Sequence, residues 1–465
     1  MEVLVVLAAL AFLVFMAYRG FSVIIFAPVA ALGAVLLTQP SAVAPVYGGI
    51  FMEKMVVFVK LYFPVFLLGA IFGKVIELSG SSRSISRAVI RLIGQQRAML
   101  AIVVVCALLT YGGVSLNVVV FAVYPFAAEM FRASQIPKRL IPGTIAVGAF
   151  TFTMDSLPGS PQVQNIIPTT FFHTDAWAAP WLGTIGGLII FVSGMTYLEW
   201  RRRVAQRAGE GYGTGHRNEP APIDEREPLP HPLLALLPLV LVCVLNYVFG
   251  KCIPVWYGDP TFMIDFPGLS KAIGVPVASS APVWAVEGAL LAGIVAVVLV
   301  NFRRVAATFA EGSQTAVSGA LLASMNSASE FGFGAVVAAL PGFIVVAETL
   351  RMIPNPLVNE AVSITVLAGL TGSAIGGLSV SLGAMADQFI AAAHASGIPL
   401  EVFHRIASMA SGGMDTLPHN GAVITLLTVT GLTHRESYRD IFAITIIKTI
   451  AAALAIVLFY TTGIV

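Results

Sequence analysis

The pentapeptide Met154-Asp155-Ser156-Leu157-Pro158 recurs as Met414-Asp415-Thr416-Leu417-Pro418, and Met-Asp occurs nowhere else in the chain. Each copy interrupts a long apolar stretch. Proline removes a backbone N–H and clashes with the preceding turn, so a helix breaks there. A carboxylate in the same apolar stretch is costly unless something holds it. Both interruptions must therefore lie where protein or a wet cavity satisfies the broken backbone. Matched interruptions in two halves of a hydrophobic chain are the sequence mark of a transporter's binding site.

The rest of the composition agrees. Of 465 residues, 57% are hydrophobic and 11% charged, against about 25% charged in a soluble domain. This is the composition of an integral membrane protein. Its apolar runs have helix-spanning length, unlike the short alternating strands of a barrel. A net charge of +2 gives no basis for nucleic-acid binding. Cys106, Cys243 and Cys252 lack metal-site or disulfide spacing, and neither a metal nor a cofactor is expected. The N-terminus is apolar from Val3 to Met16, with Glu2 before it and Arg19 after it. Without a basic leader region it reads as a first span that starts outside.

Uninterrupted spans are expected at residues 3–18, 21–38, 55–79, 179–199, 233–250 and 284–301. A segment at 98–131 breaks at Tyr111-Gly112-Gly113, and one at 140–172 breaks at the first Met-Asp site. A block from 308 to 463 breaks at Gly372–Gly377 and again at the second Met-Asp site. The expected division is N-terminal spans 1–54, a first transport repeat 55–200, a polar cytoplasmic linker 201–232, connecting spans 233–307 and a second repeat 308–465. The linker is too polar to bury and is read as mobile.

Further anchors match between the halves. Gly112-Gly113-Val114-Ser115 pairs with Gly376-Gly377-Leu378-Ser379, and Ser134-Gln135-Ile136-Pro137 with Ser396-Gly397-Ile398-Pro399. With the Met-Asp sites the offsets are 264, 262 and 260 residues, in one order. Charge gives their relative orientation. The segment 80–97, read as a loop, holds Arg83, Arg87, Arg91 and Arg97 and no acid; its counterpart 344–359 has only Arg351, against Glu348. Arg132, Lys138 and Arg139 lie in 132–139, whereas 394–401 has no Lys or Arg. After the Met-Asp sites the bias reverses: His173-Thr174-Asp175 lacks Lys and Arg, and 432–440 holds Arg435 and Arg439. By the positive-inside rule the halves lie in opposite orientations. Trp177, Trp181, Trp200 and Trp284 fall at span ends as interfacial aromatics. The fold expected is an all-α polytopic membrane protein of two inverted-topology repeats, each with a re-entrant hairpin and a broken helix.

A helix that restarts inside the membrane presents free N–H groups and a positive dipole end, a ready anion site. The half that stops leaves carbonyls for a cation or proton donor. The candidate substrate-binding residues are Ser156, Gly159, Ser160, Thr416 and Asn420 at the breaks, with Ser115, Asn117, Ser379 and Ser381 at the hairpin tips. For these small residues the alternative is helix packing. The candidate proton-coupling residues are Asp155, Asp415, His419 and Glu330. Their alternative is structural, with the aspartates capping N–H groups freed at the breaks. Lys60, Lys74 and Glu77 read as snorkelling end groups.

The run from Thr151 to Asn165, the run from Ser411 to Thr425 and the stretch Gly431-Leu-Thr-His-Arg-Glu-Ser-Tyr-Arg-Asp440 resemble the gluconate permease (GntP) family. The resemblance covers most of the chain from about residue 55. It implies an inner-membrane secondary transporter of the ion transporter superfamily. It also implies proton symport of small hydroxy-carboxylates such as gluconate or 3-hydroxybutyrate, and a homodimer in membrane lipid. Gluconate carriers of the family have a Pro- and His-rich run at the first break. Leu157-Pro-Gly-Ser-Pro161 has no His, so the family name does not give the substrate.

Two other readings stay open on the sequence. Sodium coupling would use backbone carbonyls and the hydroxyls of Ser115, Ser379 and Ser381 with Asn117. An intramembrane aspartyl protease would use Asp155 and Asp415, but its Gly-x-Gly-Asp signature is replaced here by Gly412-Gly413-Met414-Asp415.

Overall fold

The computed structural model describes residues 2–19, 21–94, 97–114, 116–220, 228–268, 271–343, 345, 352–371, 373–418 and 420–465. Helices α1 (Glu2–Tyr18) and α2 (Val23–Thr38) precede a helical run that starts at Pro40. This run passes through the short α3 (Val43–Val46) and a six-residue π turn, Tyr47–Met52, into α4 (Glu53–Leu78). The first half continues with α5 (Ser81–Ile93), α6 (Ala98–Tyr111), α7 (Leu116–Ala133), α8 (Ile141–Ala149), the single turn α9 (Phe152–Asp155), α10 (Val163–Phe172) and α11 (Pro180–Arg207). Helices α12 (Pro232–Tyr257) and α13 (Val277–Val300) connect the halves. The second half comprises α14 (Phe302–Ala339), α15 (Pro356–Thr371), α16 (Ala374–Ser396), α17 (Leu400–Gly412), α18 (Gly421–Thr430) and α19 (His434–Thr462). Among the described residues six helical segments are long and apolar enough to cross a membrane. The protein is an all-α polytopic membrane protein.

Apart from α5, which stands between α4 and α6, the described elements follow the same order in the two halves. A long helix (α4, α14) is followed by a hairpin of two helices (α6–α7, α15–α16), a broken helix (α8–α10, α17–α18) and a closing long helix (α11, α19). The two opening helices pack along each other. Hydrogen bonds give the relative direction of the broken helices. Ser437 Oγ, at the start of α19, donates to Arg139 O just before α8 at 2.7 Å. Thr174, just after α10, meets His404 Nδ1 near the start of α17 at 2.6 Å. Each broken helix thus begins where the other ends, and the two run antiparallel.

Three local expectations change. The segment 80–97 is not a loop: Ser81–Ile93 is helical. Ser81, Ser82, Ser84, Ile85, Ser86 and Val89 are buried, while Arg83, Arg87 and Arg91, four residues apart, share another face. Small serines let this face pack closely, so polarity did not imply exposure. Between α12 and α13 a small antiparallel β-hairpin, β1 (Thr261–Ile264) with β2 (Ile273–Pro276), pairs Thr261 with Pro276 and Ile264 with Ile273. The third change concerns the start of the linker, which is docked. Arg139 holds Glu210 through two bonds of 2.7 Å. Lys138 Nζ donates to Glu219 at 2.8 Å and to Arg217 O at 2.7 Å. Arg132 also pairs with Glu219, and Asn218 Nδ2 donates to Thr428 O at 2.8 Å. Polar residues here are retained by charge pairing across the base of the first hairpin and the end of α18.

Candidate functional site

At the first break, α8 stops at Ala149 and α10 restarts at Val163. Pro161 therefore precedes the restarted helix and does not occupy its first turn. Gly159 turns the chain with φ +76°, a left-handed conformation suited to glycine. Its N–H donates to Ala176 O at 2.8 Å, and its carbonyl accepts from Asn246 Nδ2 at 3.1 Å. A Cβ at this position would collide with the Trp177 indole. The tip of the first hairpin meets this break. Gln162 Nε2 donates to Thr110 O at 2.7 Å and Val114 O at 3.4 Å, and Tyr111 OH donates to Pro158 O at 2.7 Å.

The second break is built the same way with different chemistry. After α17 the chain makes a 3-10 turn at Gly413–Thr416, and α18 restarts at Gly421. Asn420 Oδ1 caps the restart by accepting from Ala422 N at 2.8 Å. Asp415 Oδ1 accepts from Ala374 N at 2.9 Å. That N–H opens α16, so Asp415 caps the second hairpin tip and not its own break. Asp415 Oδ2 accepts from Gln164 Nε2 of α10 at 2.9 Å. Thr416 Oγ1 lies 2.6 Å from Thr445 Oγ1 and donates to Gly413 O at 3.1 Å.

Asp155 faces a cation that the sequence reading passed over. Its Oδ2 is 2.7 Å from Lys448 Nζ, and both side chains are 1% exposed. Its Oδ1 accepts from Ser156 Oγ at 2.7 Å. Lys448 Nζ also donates to Phe150 O at 2.7 Å and to Gly412 O. Arg405 was missed as well. Wholly buried on α17, it donates to Ala178 O at 2.7 Å, Asn165 Oδ1 at 2.9 Å and Asp155 O at 3.3 Å. All these acceptors are neutral, and they fasten the first break and the turn after α10 to the second half. A signal existed for Lys448, the only charged residue from Ile441 to Val465; Arg405 had none beyond its charge.

The remaining candidates are distributed as follows. Ser160 Oγ donates to Thr153 O at 2.6 Å and Ser381 Oγ to Gly377 O at 2.7 Å, so both hydroxyl protons are engaged within the chain. Ser379 Oγ is buried with no hydrogen-bond partner among the described residues, as is Trp177 Nε1. Glu330 is buried on α14 against Gly376 of the second hairpin, where a Cβ would collide with its Oε2. Ser115 and His419 lie outside the described residues. Asn117 falls in α7, with its side chain outside them. The structure thus gathers Asp155, Ser156, Gly159 and Ser160 at one break and Asp415 and Thr416 at the other, joined through Gln164. The centre is closed: Asp155, Ser156, Ser160, Gln164 and Lys448 are all at most 2% exposed. An open cleft of about 710 Å³ lies elsewhere, lined by linker residues Gly215–Asn218 and the end of α18.

Comparison with known proteins adds a family. Residues 60–254 match the model of the GntP family permeases. The chain is 56% identical, over 474 aligned residues and 100% of both sequences, to the uncharacterized transporter YxjC of Bacillus subtilis (strain 168). Among solved structures it is similar to the YdaH transporter of Alcanivorax borkumensis, with a TM-score of 0.49, 16% identity and coverage of 89% and 88% of the two chains. It is also similar to MtrF of Neisseria gonorrhoeae, with a TM-score of 0.47, 11% identity and coverage of 88% and 83%.

Proposed function

The chain belongs to the GntP permease family, and from that premise we propose that it imports a small hydroxy-carboxylate, gluconate- or 3-hydroxybutyrate-like, by proton symport with alternating access. That it is a multi-pass membrane transporter and not an enzyme follows from the family and its relatives. The aspartyl-protease alternative falls with that assignment. Substrate, coupling ion, the cytoplasmic membrane as its site and a homodimeric state belong to the proposal.

The observation that carries the reading is the difference between the two helix restarts. Asn420 caps α18 with its own side chain. Gln162, at the same place on α10, spends its amide on the hairpin tip and does not cap the helix. The positive end of α10 is therefore the one available to a substrate carboxylate. Gly159 holds the backbone turn beside it, and Trp177 Nε1 supplies a buried donor for a hydroxyl or carboxyl oxygen. Asp415 and Glu330, both at the second hairpin, are the proton-coupling groups of this proposal. The antiparallel broken helices and their matched element order support the inverted repeat that alternating access exploits. Exposed Leu36, Leu37, Leu188, Val192, Leu291 and Leu454 suit a lipid-facing surface.

The test is uptake of a radiolabelled hydroxy-carboxylate panel into proteoliposomes. Uptake driven by an inward proton gradient, lost when the gradient collapses and unchanged by replacing Na⁺ with choline, is the expected result. Gradient-insensitive uptake that requires Na⁺ would replace symport of H⁺ with symport of Na⁺.

A further inference from the structure

The two half-helices that stop, α8 and α17, end against each other. Each leaves carbonyls with no partner inside its own helix and carries the negative end of its dipole. The carbonyl oxygens of Phe150 and Gly412, from these two ends, converge with Asp155 Oδ2 on one atom, Lys448 Nζ. The two carbonyls accept hydrogen bonds from the ammonium, and the carboxylate oxygen lies 2.7 Å away as its ion-pair partner. Gly412 is part of this arrangement, because a Cβ there would collide with the Asp155 carboxylate and come within 2.9 Å of Nζ. The donor set is two carbonyls and a carboxylate, hard oxygens that suit a metal cation as well as an ammonium.

We infer that the space between the ends of α8 and α17 is a cation site whose permanent occupant is the ammonium of Lys448, which closes this position to Na⁺. The lysine does the work of a bound ion: it sets one positive charge against two dipole ends and a buried carboxylate where the halves cross. Unlike a bound ion it is tethered to α19, so it cannot be exchanged with solvent in the transport cycle. Removing the side chain leaves a negatively charged oxygen cage of the right chemistry for an alkali cation. The inference rests on the transporter reading and deepens it, since it says which position a metal cation does not use.

The test uses full-length protein purified as wild type, Lys448→Ala and Lys448→Gln. Thermal unfolding is compared in NaCl and choline chloride at equal pH and ionic strength. The wild-type midpoint should be the same in both salts. Both variants should unfold at lower temperature in choline and shift upward, saturably, with Na⁺, as linkage to a bound ligand requires. Folded variants that ignore Na⁺ overturn the inference while gradient-driven wild-type uptake leaves proton symport standing. Wild-type uptake that requires Na⁺, with the thermal shift confined to the variants, overturns proton symport and leaves the cage standing. Should the single variants be hard to recover, solubilisation in each salt decides. Recovery only in NaCl supports the inference. Recovery in neither salt, while the double variant Lys448→Ala with Asp155→Ala folds, overturns it.

Discussion

Gln164 Nε2 donates to Asp415 Oδ2 at 2.9 Å, so the restarted half of the first broken helix holds the carboxylate of the second. The other oxygen of Asp415 caps the second hairpin through Ala374 N. One side chain therefore ties both broken helices to the second hairpin. A change in its protonation would alter two hydrogen bonds at once.

Asp415→Asn tests this coupling. Asparagine keeps an acceptor for Ala374 N, and the buried Gln164 Oε1, without a partner among the described residues, can turn to meet the new amide. The fold should lose about 1 kcal/mol or less. Transport should be abolished or lose its response to the pH gradient. Wild-type uptake at every pH would remove Asp415 from coupling.

Gly159→Ala should destabilise the protein by about 1–3 kcal/mol, because the added methyl meets the Trp177 ring and the left-handed backbone becomes strained. Adding Trp177→Ala relieves the collision but not the strain. A double-mutant cycle in thermal unfolding should show coupling of about 0.5–3 kcal/mol. Additive effects would mean that the ring moves aside freely.

Arg405→Lys keeps the charge but loses the planar fork that reaches Ala178, Asn165 and Asp155 together. Each charge-assisted bond not remade should cost about 1.5–3 kcal/mol. The expected readout is a lower unfolding temperature with earlier proteolysis in the turn after α10. An unchanged midpoint would show that the clasp is dispensable.

The docked linker should be pH-sensitive only on the acid side. Arg139 holds Glu210 below the ordinary value of 4.5. Burial would raise Glu219, but its bonds from Lys138 and Tyr212 outweigh this and hold it below the same value. Both groups are partly exposed, so each contributes about 1 kcal/mol or less. Carboxylates lowered on docking stabilise the docked state fully above about pH 4.5 and lose that contribution as pH falls through their lowered values. Hydrogen exchange over 208–220, corrected for its intrinsic pH dependence, should be flat from neutral pH to about 5 and rise below. Glu219→Gln should raise it already at pH 7; no change there would place the retention elsewhere.

Much of the architecture was legible because its causes are local. Pro158 and Pro418 remove backbone donors, so the helical turns Phe152–Asp155 and Gly413–Thr416 could not run on through them. Apolar length marked α11, α12 and α13 as spans. The segment 80–97 misled because arginines were weighed and the close packing of four buried serines was not. The linker misled because its partners Arg139 and Arg132 lie 71 and 87 residues away from Glu210 and Glu219.

The chain alone determined a membrane protein with two broken helices, since hydrophobic length and proline act within a few residues. Whether each intramembrane charge would find a partner, and which, was decided by tertiary structure. Lys448 is visible in the sequence as a lone charge in an apolar helix. That it fills the gap between Phe150, Gly412 and Asp155 depends on two broken helices running antiparallel and stopping against each other. Such a meeting is set by the packing of whole helices, which no local pattern records.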